Sequence, residues 1–515
     1  MNHFILSLCL GALLLSAPAY AEDLYVGQAL AGGNTGADCA NQKAITFFNS
    51  GVNWGAGAGK ISPGDTVHLC GTITTSPKAQ GSGSVGLPIT IVFETGAKIS
   101  EPFCEASWGC LYIGALSYII VDGGTNGIIE STANGTGLAN QTSVMGIRAD
   151  ACSNCEIKNL TIQNMYIHTA DLTDITVDYS LVNAIKFSGS NTTVHDNTIH
   201  DAGWAIYQQY GNGDTTTEVH HNTIYNSSHG WTVAGSGAIT ATGFKFYNNH
   251  VYNYSNWDTT ANAYHHDGIH AFGISGAVGT EYDIYNNLFD GVCGNHMTAH
   301  IFMEGNTGTE WTLTGTARIY NNVFICSGNI VNGILRPDIG NVSVYNNTII
   351  GNGDATAICV TFASSAIALF KNNAMSGCGT NLTLGATATV TNHATGLNYN
   401  QYVCSGSANC FNWTGTQAFT GSIATWRTGC GCDANSADNA DLLVNGSGVP
   451  QVGSPVINTG TDLSGLGITA LNSDYLGISR PSGTIWDIGA YVFVSGGASR
   501  SPASARTQAT ARTIR

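Results

Sequence analysis

A short pattern of apolar and polar positions repeats along the middle of the chain. Apolar residues flank a polar turn in VHDNTI at residues 194–199, and the pattern recurs six times. Alternating apolar and polar residues are typical of a half-buried β-strand, so each copy predicts short strands around a turn. The later copies are VHHNTI (219–224), FYNNHV (246–251), IYNNLF (284–289), IYNNVF (319–324), VYNNTI (344–349) and FKNNAM (370–375).

The spacing of these copies predicts the fold. Repeats of about 25 residues made of short strands indicate a solenoid with one coil per repeat. The intervals between the second Asn of successive copies are 25, 27, 38, 35, 25 and 26 residues. We predict an all-β protein, a parallel β-helix, in which these Asn amides stack along the axis and satisfy the turn backbone. A sugar-binding row is the weaker interpretation of the set Asn197, Asn222, Asn249, Asn287, Asn322, Asn347 and Asn373.

Both ends of the repeat region resemble a known group. The stretch DYLGISRPSGTIWDIGAYVF (474–493), and the early ISPGDTVHLCGTI (61–73), LPITIVFETGAKI (87–99) and YIIVDGG (118–124), are similar to secreted right-handed parallel β-helix proteins of the pectate-lyase-like superfamily. The resemblance implies a right-handed coil. That superfamily holds lyases, hydrolases, epimerases, phage tailspikes and adhesins, so the resemblance implies a fold more than an activity.

The N-terminus is typical of an exported protein. An apolar run ending in Ala19-Tyr20-Ala21 predicts a signal peptide over 1–21, and no later segment is apolar enough to span a bilayer. We expect a secreted protein, extracellular or periplasmic, without membrane contact. Its tail, 496–515, is Ala-, Ser-, Thr- and Arg-rich and is predicted to be disordered.

Residues 22–495 are predicted to form one β-helix domain. The spacing of Ala and Phe in 37–50 predicts a capping helix within an N-terminal cap over 22–70. The Asn period is lost in 395–495, which predicts disulfide-rich irregular coils and a C-terminal cap.

The cysteines predict disulfides. Removal of Cys9 with the signal peptide leaves 14, and an exported protein folds in an oxidising compartment. Cys152-x-x-Cys155 also fits a zinc half-site, but no second half-site at a matching spacing follows it. The expected pairs are Cys104/Cys110, Cys152/Cys155, Cys404/Cys410 and Cys430/Cys432, with Cys39/Cys70, Cys293/Cys326 and Cys359/Cys378 across neighbouring segments.

The charge balance of the chain argues against some classes of binding partner. Only 10% of residues are charged and the net charge is −16, which argues against nucleic acid binding. It also disfavours a highly anionic polymer unless a cation mediates. A neutral or weakly charged polysaccharide is the expected substrate, and a monomer the expected state.

A second strand follows each Asn motif and predicts a functional stripe. With Ile185, Ile206, Ile269, Ile301 and Leu335 facing inward, polar and aromatic side chains converge on the outer face. The two longest inserts, 253–264 and 305–316, flank the same coils, as loops around binding sites often do. The outward row is predicted to contain Lys186, Tyr207, Gln209, His270, Phe302, Glu304, Arg336 and Asp338.

Asp267 is the sharpest catalytic candidate. It lies in HHDGIH (265–270), which resembles the N-T-D-G motif of polygalacturonase-type glycosidases, and the resemblance implies that Asp267 is catalytic. Strict alternation with Ile269 would point it inward, but Gly268 can turn the chain. Asp267, Glu304 and Asp338 lie on successive coils, which allows the paired carboxylates of a glycoside hydrolase. His270 and Arg336 complete the predicted catalytic group.

Two alternative chemistries, a lyase or epimerase reaction and transition-metal binding, would use some of the same residues. A lyase or epimerase would hold Ca²⁺ with Asp267, Glu304 and Asp338, and Arg336 or Lys186 would abstract a proton. A transition metal would instead be held by three of the clustered histidines. These candidate ligands are His265, His266, His270, His296 and His300.

Aromatic residues near the stripe favour a carbohydrate as the ligand, because flat aromatic rings stack on the faces of sugar rings. The predicted substrate contacts are Lys186, Trp204, Tyr207, Gln209, Trp231 and His266. We therefore expect a secreted glycoside hydrolase. A polysaccharide lyase or epimerase is the enzymatic alternative, and an adhesive or polysaccharide-binding β-helix is the non-enzymatic one.

Overall fold

The computed structural model describes most of the chain. The described residues are 21–134, 138–140, 142–165, 182–209, 214–234, 242–254, 266–273, 281–293, 297–304, 315–328, 330, 333–404, 409–414 and 419–495. The predicted signal peptide, apart from Ala21, and the predicted tail lie outside them.

The backbone winds as a coil whose strands stack in parallel on three sheets. Val194, Val219 and Phe246 on successive coils are direct neighbours in the first sheet. The predicted right-handed parallel β-helix is confirmed. The first sheet contains Asp23–Gly27, Lys43–Ala44, Thr66–Cys70, Ile89–Phe93, Ile119–Ser131, Glu156–Gln163, Thr193–His195, Thr215–His220, Thr242–Tyr247, Glu281–Tyr285, Thr316–Tyr320, Asn341–Tyr345, Ala366–Lys371, Thr389–Val390 and Leu397–Asn398.

The second and third sheets follow the first around each coil. Ile119–Ser131 and Glu156–Gln163 continue from the first sheet into the second. The second sheet also contains Thr72–Ile73, Lys98–Glu101, Thr198–Gln209, Thr223–Ala234, His250–Tyr252, Leu288–Asp290, Val323–Ile325, Thr348–Ile350, Ala374–Ser376, Gln401–Tyr402 and Ala437–Asp438.

Two strands, Thr198–Gln209 and Thr223–Ala234, run on from the second sheet into the third. The strand Phe419–Gly421 pairs antiparallel with Phe411–Trp413. The third sheet contains, besides these, Leu111–Tyr112, Val144–Ala149, Val182–Phe187, His266–Phe272, Met297–Met303, Leu335–Pro337, Ile358–Phe362 and Thr380–Leu384.

The core lies inside the coil and receives side chains from all three sheets. Because side chains alternate along a strand, every second residue of a strand points into this interior, and these residues are mostly apolar. Fully buried examples are Ile157, Val194 and Val219 from the first sheet, Ile162, Ile199 and Ile224 from the second, and Ile147, Ile185 and Ile206 from the third.

Buried asparagines close the corner between the first and second sheets, as predicted. The Oδ1 of Asn287 accepts the backbone N–H of Asn249 at 2.9 Å and its Nδ2 amide at 3.2 Å. Its own Nδ2 donates to the carbonyl of Phe246 and to Asn322 Oδ1. The same pattern runs from Asn197 through the other motif copies to Asn400.

The residue before each ladder asparagine turns the chain. Asn286 and its equivalents have φ near +53°, the left-handed region that Asn adopts more readily than most residues. The two polar residues of each motif therefore have different roles. The first bends the backbone, and the second forms hydrogen bonds with backbone groups at the corner.

Seven disulfides are formed, and they are the seven predicted pairs. Four of them close loops of six residues or fewer.

The N-terminal helix is shorter than the spacing in 37–50 predicts. One helical turn, Ile45–Phe48, follows the 3-10 turn Cys39–Asn41 and precedes another, Gly51–Asn53. Pairing of Lys43–Ala44 with Val26 and Gly27 holds the intervening backbone extended, so a longer helix cannot form. Ile45 and Phe48 still bury their side chains in the core.

Residues 419–495 cover the end and the outside of the coil. The helix Ile423–Cys430 places Trp426 against the Phe411 ring, with a centroid distance of 5.2 Å. Leu471 and Trp486 pack outside the first sheet against Tyr320 and Tyr345. The remaining short elements are the helix His393–Gly396 and the 3-10 turns Ser464–Leu466 and Thr469–Asn472.

The three α-helices of the described segments contain between four and eight residues, and none is long and apolar enough to cross a membrane.

We predict that Asn287→Ala lowers the free energy of unfolding by about 3 kcal/mol, because the buried backbone N–H of Asn249 loses its acceptor and the hydrogen bonds to the Phe246 carbonyl and to Asn322 are lost. Denaturant titration measures the change. Asn435→Ala is the control, since Asn435 is exposed. Equal stability of the two variants would contradict an architectural role for the ladder.

His195 provides a pH-dependent contribution to stability. Burial lowers its pKa, but hydrogen bonds to Asp196 and Glu156 outweigh burial and raise it to about 9. A raised pKa stabilises the fold fully below the ordinary value of 6.5, and this contribution disappears as the pH rises through 9.

We therefore predict that His195→Gln destabilises the protein by on the order of 1–2 kcal/mol at about pH 6 and by less at about pH 9.5. Denaturant titration of both proteins at the two pH values measures this. The same difference at both would exclude a charged His195 as its source.

Candidate functional site

The outer face of the third sheet carries one continuous row of side chains. Lys186, Tyr207, Thr232, His270, Phe302 and Arg336 are neighbours in register on six successive coils. We call this set the outward row. Its members Lys186, Tyr207, His270, Phe302 and Arg336 lie where the sequence predicts them, and the inward partners Ile185, Ile206, Ile269, Ile301 and Leu335 are fully buried.

Two further residues extend this row toward the N-terminus. Arg148 is in register with Lys186, and Tyr112 is in register with Arg148. Sequence analysis missed them because they precede the Asn repeats. The alternation in VMGIRA (144–149) was the available signal.

Lys186 lies in a charged environment at this end of the row. Burial and the neighbouring Arg148 lower the pKa of its ammonium, while Asp150 opposes them. The Lys186 Nζ lies 3.8 Å from Asp150 Oδ1 and 5.5 Å from the centre of the Tyr207 ring. Arg148 also donates to Asp150.

At the other end of the row, aromatic and charged groups stack. The His270 and Phe302 rings are 5.0 Å apart, and the Arg336 guanidinium lies 5.2 Å from the Phe302 ring centre. The row is most accessible at its two ends, where the side chains of Arg148 and Arg336 are each 28% exposed. The members between them, Lys186, Tyr207, Thr232, His270 and Phe302, are buried.

Gly268 interrupts the alternation of the third sheet beside Asp267. A Cβ at Gly268 would meet the Tyr254 hydroxyl at 2.6 Å and the Phe289 ring at 2.7 Å, so this position faces the interior and requires glycine. Ile269 also faces the interior. Two consecutive inward positions leave Asp267 and His270 on the same side of the strand, as the predicted turn at Gly268 requires.

Asp267 and His270 meet a histidine from the preceding coil. His229 Nε2 lies 3.4 Å from Asp267 Oδ2, and His270 Nδ1 lies 3.7 Å from the same oxygen. We call His229, Asp267 and His270 the acid–imidazole cluster. Asp267 is fully buried, and the other two are less than 10% exposed.

The other atoms of this cluster also have defined neighbours. Asp267 Oδ1 accepts the backbone N–H of Ala299 at 3.2 Å. The His229 Nδ1 lies 2.8 Å from Ser228 Oγ, and His270 Nε2 lies 3.4 Å from Glu304 Oε2.

The three carboxylates predicted to act together have different surroundings. The Glu304 side chain is 45% exposed, whereas Asp267 is buried. Asp338 is also buried: it accepts the backbone N–H groups of Ala363 and Ser364 and pairs with Arg336 at 2.9 Å. Its carboxylate therefore joins two coils, and burial raises its pKa. Within the described residues, these acids do not form an all-oxygen cation site.

Trp231 does not lie where a substrate contact requires it. It is in register with Ile206 and Ile269, faces the interior and stacks on Phe246 with a centroid distance of 5.0 Å. Its indole N–H donates to Gln208. Gly230 precedes Trp231 and faces inward as Gly268 does, so the alternation expected from the sequence is shifted here.

Of the histidines predicted to bind a metal, His266, His270 and His300 do not come together in one metal-binding group among the described residues. His266 is 1% exposed, with its Nδ1 3.4 Å from Ser228 Oγ. His300 faces the interior, where its Nδ1 lies 3.1 Å from the Tyr254 hydroxyl and burial lowers its pKa to about 3. His265 and His296 lie outside the described residues.

The remaining predicted contacts lie beside the row. Trp204 is half-buried and packs edge-on against Tyr207, with ring centres 4.9 Å apart. Gln209 is half-buried at the end of its strand.

His229 is the site residue that sequence analysis missed. In the sequence His229 precedes a glycine, where a strand boundary is expected, whereas the structure includes it in the strand Thr223–Ala234. The signal was the matching order of His229-Gly230 and Asp267-Gly268, which the structure places in register.

Comparison with protein-family models found no match, and comparison with curated proteins found none. Solved structures that match include pectate lyase Pel9A (16% identity, 92% of this chain and 97% of that one, TM-score 0.28). XylC in complex with xylose matches at 11% identity (92% and 99%, TM-score 0.38), and a family 28 exopolygalacturonase of Yersinia enterocolitica at 12% (74% and 78%, TM-score 0.36). At such values the likeness carries no argument about activity.

The orientation of the two tryptophans leads to a stability prediction. We expect Trp231→Ala to cost about 3–5 kcal/mol of unfolding free energy, because it leaves a large cavity in the core. The matched variant Trp204→Ala, on the outer side, should cost clearly less. Denaturant titration of both variants measures this, and a larger cost at Trp204 would reverse the assignment of the two faces.

Proposed function

We propose that the protein is a secreted enzyme that binds an extracellular polysaccharide along the outward row and cleaves it. The observation that carries this proposal is the continuous register of side chains from Tyr112 to Arg336, all of which are aromatic or charged except Thr232. Aromatic rings offer flat surfaces to sugar rings, and guanidinium groups bind carboxylates or hydroxyls. A row with one residue per coil suits a linear polymer.

We propose further that the reaction is a β-elimination on a uronate unit. Such a lyase needs a base for the proton on C5 and a cation beside the uronate carboxylate. Lys186 has a lowered pKa and lies on the row, which suits a general base. Arg148, on the adjacent coil, supplies the positive charge.

The step balances without water. Lys186 takes the C5 proton, the C4–O bond breaks, and a C4=C5 double bond forms. The leaving oxygen needs a proton, which the phenol of Tyr207 can supply from the coil after Lys186. An unsaturated uronate end is the product.

Glycoside hydrolysis of a neutral or weakly charged polymer is the second candidate, and the exposure of Glu304 favours it. This carboxylate lies next to the row, within 3.4 Å of His270. A hydrolase needs a second carboxylate at the scissile bond. Burial of Asp267 and the backbone contacts of Asp338 make that pair harder to form, so we rank hydrolysis below elimination.

A panel of uronate and neutral polysaccharides separates the candidates. We expect purified full-length protein to produce ultraviolet absorbance of an unsaturated end with a uronate polymer. New reducing ends without that absorbance would contradict the lyase proposal and support the hydrolase. Binding without any product would replace both by a binding protein.

Lys186→Met tests the proposed base. We expect it to lower kcat by about 100-fold or more, as loss of a general base does, while polymer binding remains. The matched control is Lys371→Met: Lys371 is also a partly buried lysine with a pKa lowered by burial, but it lies on the first sheet. Equal activity of the two variants would remove Lys186 from the reaction.

A further inference from the structure

We infer that the acid–imidazole cluster binds one divalent transition metal ion of the zinc type. Two imidazole nitrogens and one carboxylate oxygen, from His229, His270 and Asp267, lie within 4.8 Å of one another. This set differs from every metal set that the sequence predicts, because it includes His229 and excludes His266 and His300.

The distances fit a tetrahedral ion. Zinc–nitrogen and zinc–oxygen bonds of about 2.0–2.1 Å give tetrahedral edges of about 3.3–3.4 Å between ligand atoms. Asp267 Oδ2 lies 3.4 Å from His229 Nε2 and 3.7 Å from His270 Nδ1. Small side-chain movements would bring all three atoms to bonding distance.

Outer contacts hold each ligand in the orientation that a metal needs. Metal-binding histidines usually engage their second nitrogen with a carboxylate, carbonyl or hydroxyl. Here the second nitrogen of His229 faces Ser228 Oγ at 2.8 Å, and that of His270 faces Glu304 Oε2 at 3.4 Å. The second oxygen of Asp267 accepts a backbone N–H from Ala299.

The donor chemistry and charge select the class of ion. Imidazole nitrogens suit zinc and its neighbours in the first transition row, whereas Ca²⁺ and Mg²⁺ prefer oxygen ligands. One divalent ion with the Asp267 and Glu304 carboxylates and two neutral imidazoles gives a total charge of zero. A neutral assembly suits a buried site.

The second group of close metal-binding residues is not equivalent. It consists of Cys293, Cys326 and His300, but the two sulfurs form a disulfide. Thiolates are the sulfur ligands of zinc, so this group does not compete while the disulfide is intact.

The test uses the full mature protein with ZnCl₂ alone, followed by dialysis and elemental analysis. We expect about one zinc per chain, an increased Tm with zinc, and no Tm increase with CaCl₂. Loading with Co²⁺ should give the intense visible absorption of a low-coordinate site. His229→Gln and Asp267→Asn should lose stoichiometric zinc, and Glu304→Gln should weaken binding about 10-fold.

His300→Gln and His200→Gln are the controls and should retain the metal. Zinc content near zero in the wild type, with no Tm increase and no visible Co²⁺ spectrum, would overturn the inference even if the variants fail to fold. Folded His229→Gln and Asp267→Asn proteins that keep one zinc would also overturn it. All readouts are independent of catalysis, so the inference and the proposed function can fail separately.

Discussion

Each coil is held to the next by parallel main-chain hydrogen bonds, and buried Asn amides join the coils where two sheets meet. A parallel strand pair keeps residues of equal position beside each other, and the ladder from Asn197 to Asn400 prevents one coil from sliding past the next. Register is therefore the constraint on which the rest depends. If Asn287 shifted by one residue, every side chain of its coil would exchange its inner for its outer face.

This constraint turns single residues into rows. Lys186, Tyr207 and His270 are far apart in sequence but share one position in the coil, so they line one face. The glycines before Trp231 and Ile269 locally interrupt the alternation of inward and outward side chains. They add an inward position without a side chain, and they place His229 beside Asp267 outside the core. The same device that gathers the cluster sends Trp231 into the interior.

The features that could be predicted from the sequence are those that follow from repeat periodicity and from the pairing of cysteines. The phased motifs predicted the coil and the ladder. The local spacing of cysteines predicted four disulfides, and pairing across neighbouring segments predicted the other three. Alternation placed Lys186 and Arg336 correctly. It failed for Trp231, because the shift at Gly230 can be recognised only when neighbouring coils are compared. It also failed for His300, which faces the interior in the register of Gly268 although its own strand, Met297–Met303, contains no glycine. The role of Asp338 depends on backbone groups of the next coil, Ala363 and Ser364, which carry no sequence signal.

We propose that the outward row is the surface that binds polysaccharide. The most direct measurement is a crystal structure of Lys186→Met with a uronate oligosaccharide. We expect sugar density along the third sheet, with a uronate carboxylate near Arg148 and a sugar ring beside Tyr207. An oligosaccharide bound on the first or second sheet, with the outward row empty, would contradict it.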